Sequence, residues 1–227
     1  MSQSDFFKAV QDGHLQEVLH LLEADPALLN QRNERGATAV LLACYTGQKE
    51  VRDALIGKGA TLELHEAAAA GRLSRVRNLV EADPAAAKGY SPDGFPVLAL
   101  AAVFGHEETA RYLLANGADV NAVATNGSGY TALTGAVTNG HAAIAAWLVA
   151  NGADVNYRYT KNYSPLLAAA ANGHLEILKM LIAHGAESDA RTDDGKTALG
   201  LAEERKHQAV AEYLRGLGPA PRAAASP

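Results

Sequence analysis

The chain has 227 residues, of which 48% are hydrophobic, 20% charged and only 6% aromatic, with a single cysteine and a formal net charge of −5 at pH 7. That length buries a sizeable core without metal staples, and Cys44 alone closes no intramolecular disulfide, so nothing demands an oxidising compartment. The acidic balance argues against charge-driven nucleic-acid binding. The longest apolar stretches, such as AAIAAWLVA at 142–150, are about half of a membrane span, and the opening MSQSDFFKAVQDGH lacks the basic-then-apolar pattern of a secretory signal.

The elements follow from a repeat. NGADVN occurs at 116–121 and again, letter for letter, at 151–156. Extending that register aligns Ala9, Ala43, Ala67, Ala101, Ala136, Ala169 and Ala202. Four residues later stand Gly13, Gly47, Gly71, Gly105, Gly140 and Gly173, with Lys206 breaking the column in the last copy. Eight residues further come Leu21, Leu55, Leu79, Leu113, Leu148, Leu181 and Leu214. Each unit reads as two short helices. In the sixth, Ser164 caps the first helix, Pro165 suits its first position and Gly173 reverses the chain. The second helix then carries Leu175, Ile177, Leu178, Leu181 and Ile182 as an apolar stripe. One unit cannot bury that stripe alone, so the units must stack.

In chain order the spacing predicts helix pairs near 5–23, 38–58, 64–82, 96–116, 131–151, 164–184 and 197–217, forming a single domain over 1–217. The alanines are spaced by about one repeat length except between Ala43 and Ala67, where GKGATLELHEAAAAG leaves no room for the usual inter-unit loop. Loops projecting as fingers are therefore expected only near 24–37, 83–95, 117–130, 152–163 and 185–196. The tail at 218–227, GPAPRAAASP within it, has no register and is expected to be disordered.

NYSPLLAAAANGHLEILKMLIAHGAESD at 162–189 and DDGKTALGLAEERKH at 194–207 resemble ankyrin repeats. The resemblance spans residues 4–217 and loosens before residue 90. It implies an all-α solenoid, a stack of seven helix pairs with five short β-hairpin fingers. The motif proline survives only as Pro165 and the motif histidine only as His65, losses expected to trim stability without altering the stack.

Catalytic and metal signals are sparse. His14, His106, His141, His174 and His207 share one column, so stacking separates them too far to share an ion at about 2 Å. A histidine bonding the inter-repeat loop is the plainer reading. His20, His65 and His184 form no ligand spacing with one another or with Cys44, which reads as a small buried thiol. Phosphate-loop, dinucleotide, zinc-protease and serine-nucleophile motifs are absent, so no enzyme, no metal and no cofactor are expected.

The resemblance implies a concave partner-binding face made of fingertips and first-helix ends. Counted along the motif, that face takes Tyr45, then Phe95 and Phe104, then Tyr130 and Asn139, then Lys161, Tyr163 and Asn172, then Asp194, Lys196 and Arg205. Five of the thirteen aromatics fall there, with Phe95, Phe104 and Tyr130 read as a cluster and Tyr157 and Tyr159 close by. Exposed aromatics anchor interfaces, although rings packing finger against finger are the alternative. The expectation is a monomeric, cytoplasmic, non-catalytic protein-binding module that meets neither nucleic acid nor membrane. An enzyme or small-molecule binder with an unrecognised site is the rival.

Overall fold

The computed structural model describes residues 3–217; the tail expected to be disordered, 218–227, lies outside them. The chain divides into two compact units, Met1–Asp119 and Val120–Pro227. The first holds α1 (Gln3–Asp12), α2 (Leu15–Ala24), α3 (Ala39–Tyr45), α4 (Lys49–Gly57), α5 (Leu64–Ala69), α6 (Leu73–Ala82), α7 (Val97–Val103) and α8 (Glu107–Ala115). The second holds α9 (Ala132–Thr138), α10 (Ala142–Ala150), α11 (Pro165–Asn172), α12 (Leu175–Ala183), α13 (Ala198–Glu204) and α14 (Gln208–Gly216).

Local chemistry sets the helix starts. Thr38, Thr131, Ser164 and Thr197 each accept a backbone N–H through the side-chain oxygen, satisfying a donor that the first turn leaves orphaned. Pro165 follows Ser164 at the first helical position. After α2 and α6 the chain turns once as 3-10 helix, Pro26–Asn30 and Pro84–Lys88, with the Asp25 and Asp83 carboxylates accepting from Ala27 N and Ala85 N.

Stacking buries the small-residue column. Every alanine of the register, from Ala9 to Ala202, is at most 2% exposed. First helices therefore pack side by side: α1, α3, α5 and α7 in the first unit, and α9, α11 and α13 in the second. Second helices form the other layer, with α10, α12 and α14 in contact in series. The leucine column follows the same logic with two exceptions. Leu21, Leu55, Leu113, Leu148 and Leu181 are buried, whereas Leu79 and Leu214 are only half-buried. On α6 the buried apolar contacts are Val76 and Val80, at 0% and 1% exposed.

The glycine between the two helices of a pair answers two demands. At Gly173 φ is +75°, a left-handed conformation that costs other residues about 1–2 kcal/mol. A Cβ there would also sit 2.5 Å from His207 Nδ1. The histidine column explains the crowding: His106 Nε2 lies 3.0 Å from Ala69 O, and His207 Nε2 lies 3.0 Å from Ala171 O. Each ring thus reaches the carbonyl end of the preceding first helix, beneath that repeat's glycine.

The fingers differ from the β-hairpins that the resemblance implies. Among the described residues four close on one isolated antiparallel bridge each: Arg32 with Thr38, Tyr90 with Pro96, Tyr159 with Tyr163, and Arg191 with Thr197. The turn at 124–130 closes through Ala124 N donating to Tyr130 O at 2.8 Å. The chain reverses after a single pair, so no ladder develops. Between α4 and α5 the link is short, held where Thr61 N donates to Asn30 Oδ1 at 2.8 Å and Arg75 Nε donates to Leu62 O at 3.0 Å.

Candidate functional site

The aromatic residues picked from the motif gather within each unit. In the first, Tyr45 ends α3, Phe95 closes a finger and Phe104 follows the last turn of α7. The Tyr45 ring lies 6.4 Å from Phe95 and 5.9 Å from Phe104, centroid to centroid, in tilted geometry that favours ring quadrupoles. The α5 helix lies between α3 and α7 and offers only Ala69 and Ala70 at the corresponding positions, both buried. Small side chains there let rings from repeats on either side meet.

The Tyr45 hydroxyl donates to Asp93 Oδ2 at 2.7 Å, and Ser91 Oγ donates to Asp93 Oδ1 at 2.5 Å. Partial burial of the ring, then the Asp93 carboxylate, hold the Tyr45 hydroxyl protonated well above its ordinary range. Tyr45 is nonetheless 40% exposed, so this cluster is anchored at one end and open at the other.

In the second unit Tyr130, Tyr159 and Tyr163 line up, with centroids 5.7 Å and 6.1 Å apart. They wall a cleft of about 710 Å³ whose lining includes Asn126, Ser128, Thr138, Lys161, Asn172 and Arg205. Four backbone and side-chain bonds lace its fingers. Thr160 Oγ1 donates to Ser128 O at 2.6 Å, Asn162 Nδ2 to Arg191 O at 2.9 Å, Asp193 N to Lys161 O at 3.0 Å, and Tyr159 N to Tyr163 O at 3.0 Å. Lys161 and Asn162 both take left-handed φ, +60° and +58°, to make the tight turn. Burial, with Tyr130 next, raises the Tyr159 hydroxyl above its ordinary range, so that ring stays neutral.

The remaining motif-counted residues part company. Tyr130, Lys161, Tyr163, Asn172 and Arg205 line the cleft together. Asn139 is exposed and, like Asn172, spends an amide N–H on its own helix, donating to Gly135 O as Asn172 does to Ala168 O, each at 3.0 Å. Asp194 and Lys196 form a local ion cluster: Lys196 Nζ lies 3.5 Å from Asp194 Oδ2 and 2.6 Å from Glu204 Oε2. The Thr192 hydroxyl, then Lys196, hold the Asp194 carboxyl below its usual range, while Glu204 raises the Lys196 ammonium. Arg205 Nη1 donates to Ala171 O at 3.1 Å, and among the described residues neither it nor Lys161 forms an ion pair.

Tyr159 belongs in the cleft although counting from the motif leaves it out. The other fingers fold over a longer turn. The three-residue turn Thr160–Asn162 is shorter, and it brings Tyr159 opposite Tyr163. The signal was the sequence YTKNY itself, two tyrosines four residues apart around a turn lacking glycine.

Burial pushes the Cys44 thiol up to about 12, so it stays a thiol at neutral pH. Among the described residues, no group of three or more His, Cys, Asp or Glu is placed to hold a metal ion, and no helix is long and apolar enough to cross a membrane.

Comparison with known proteins agrees with this architecture. A family model described as ankyrin repeats (3 copies) matches residues 64–159 and 156–222, more than half of the chain. The chain belongs to the ankyrin-repeat family. It is also similar to ankyrin repeat and SAM domain-containing protein 6 of Rattus norvegicus, 33% identical over 123 residues, and to its Mus musculus counterpart, 32% identical over 123 residues. Each match covers 54% of this chain and 11% of the relative, so this ankyrin-repeat chain spans only a small part of the length of the relatives it matches. Ankyrin repeats are, as a family, generally protein-interaction modules and generally non-catalytic.

Proposed function

We propose that this ankyrin-repeat chain is a non-catalytic, monomeric binding module that holds a protein partner on its finger and first-helix face. The cytoplasm, where a lone buried thiol stays reduced, is its expected compartment. No cofactor, membrane or nucleic acid enters the proposal. The observation that carries the reading is the tyrosine-walled cleft beside Lys161 and Arg205. Tyrosines offer large contact area at low entropic cost, and bonds between the fingers already hold them in place before a partner arrives.

Recovery of proteins from a native lysate on the immobilised chain tests the reading, with Tyr130→Ala combined with Tyr163→Ala as the comparison. Loss of specific partners with unchanged helicity and melting supports the face. Equal recovery by a folded variant sinks it. The cleft volume also suits a small molecule, for which sites of about 300–1,000 Å³ are usual. Metabolite-induced thermal shifts that vanish in the same variant would favour that rival.

A further inference from the structure

The charges around the tyrosine cleft are one-sided. The chain as a whole carries −5, yet the residues lining this cleft include two cations and no carboxylate. The next finger shows the contrast, since Lys196 is balanced by Asp194 and Glu204. Lys161 and Arg205 have no such partner among the described residues. Arg205 uses Nη1 on Ala171 O, which leaves the other donors of its planar fork to meet an incoming group.

The position of Lys161 is fixed. Its residue and the next occupy left-handed backbone, and the turn is tied on one side to Ser128 through Thr160 and on the other to Arg191 and Asp193 through Asn162 and the Lys161 carbonyl. The ammonium therefore rises from a tied turn beside three mutually tilted rings.

We infer that this cleft takes an extended acidic segment of a protein partner, with Asp or Glu carboxylates meeting Lys161 and Arg205 and a neighbouring apolar side chain lying against the Tyr130, Tyr159 and Tyr163 rings. The inference rests on the protein-binding reading and gives the partner its chemistry. Carboxylates gain charge-assisted hydrogen bonds at both cations, and the rings supply the apolar contact. A basic segment is repelled at the same two points. A long polyanion such as nucleic acid meets the acidic remainder of the chain.

Selection of a random twelve-residue peptide display library on the immobilised full chain tests this. The expected result is an Asp and Glu surplus over the starting library that disappears with Lys161→Ala plus Arg205→Ala. Charge reversal, Lys161→Glu plus Arg205→Glu, should turn the surplus toward Lys and Arg. These side chains are on the surface, and circular dichroism checks that each variant folds. For the best peptide, exchanging its carboxylates for amides should weaken Kd roughly tenfold. An enriched set without an acidic surplus, or a surplus that survives both charge variants, overturns the inference while leaving the protein-binding reading standing. Enrichment no different from that on Tyr130→Ala plus Tyr163→Ala defeats both. Displacement of the best peptide by a single-stranded oligonucleotide at equal concentration overturns the inference in favour of nucleic acid.

Discussion

Thr38 Oγ1 donates a 2.5 Å hydrogen bond to Glu66 Oε1 across 28 residues of sequence, in the buried interior of the first unit. The same threonine oxygen accepts from Leu41 N at the start of α3, and Glu66 Oε2 accepts from Glu63 N at the start of α5. One carboxylate, 1% exposed, thus couples the N-termini of two neighbouring first helices. Replacing Glu66 with Ala leaves the Thr38 hydroxyl and the Glu63 N–H without acceptors. The expected loss is about 1–3 kcal/mol, the usual cost of orphaning a buried polar group. Glu66→Gln should lose less, because it keeps an oxygen in place. Urea unfolding with an unchanged m-value checks both, and equal stability of all three proteins would refute the coupling.

His65 stands beside that carboxylate at 4% exposure, with Nε2 lacking a hydrogen-bond partner. Burial depresses its pKa below the ordinary 6.5, against the opposing pull of Glu66 and Glu63. The folded state therefore holds His65 neutral while the unfolded chain takes up a proton below about 6.5. Stability contributed this way is complete above that pH and is lost as pH falls from there toward the depressed value. Denaturation midpoints of wild type and His65→Gln across this window should converge on acidification. Parallel pH profiles would show that another group sets the slope.

Leu148 and Leu79 occupy the same column but different surroundings. Leu148 is 0% exposed, and its replacement by Ala should cost ~2–5 kcal/mol. Leu79 is half-buried, so Leu79→Ala should cost clearly less. Equal losses in chemical denaturation would mean that exposure does not govern the seam.

Lys206 adopts φ +61° where the other repeats place glycine. Lys206→Gly removes a left-handed non-glycine residue and should stabilise by about 1 kcal/mol, a rise in Tm of about 2–4 °C. Gly140→Val should act in the opposite sense and more strongly, since its φ is +77° and a Cβ would lie 2.8 Å from His174 Cε1. A thermal melt separates the two, and an unchanged Tm for Lys206→Gly would show that entropy gained by the unfolded glycine cancels the relief.

Much of this was legible because the repeat writes packing as columns. Ala136 and Ala169 announce close helix contact, Ser164 and Pro165 announce a helix start, and Gly173 a reversal; each is a local requirement that one residue type meets. Leu79 misled because column identity says nothing of local burial, which on α6 falls on Val76 and Val80. Tyr159 escaped because the geometry of a turn without glycine is not encoded in motif counting. The pairing of Tyr45 with Asp93 depends on what stands between them in space, and sequence spacing alone carries no such information.

That last pairing bears on how the first unit comes apart. In a repeat stack each helix pair touches only its neighbours, so opening can begin at any pair and spread one step at a time. The link at 57–63 carries no finger, and across it Tyr45 of α3 bonds to Asp93 beyond the α5 repeat. The repeats on either side of α5 are thereby joined directly to each other. Amide protons of α3, α5 and α7 are therefore expected to exchange together, which hydrogen exchange of wild type and Tyr45→Phe checks. The shortest stretch of the register marks the least divisible part of the unit.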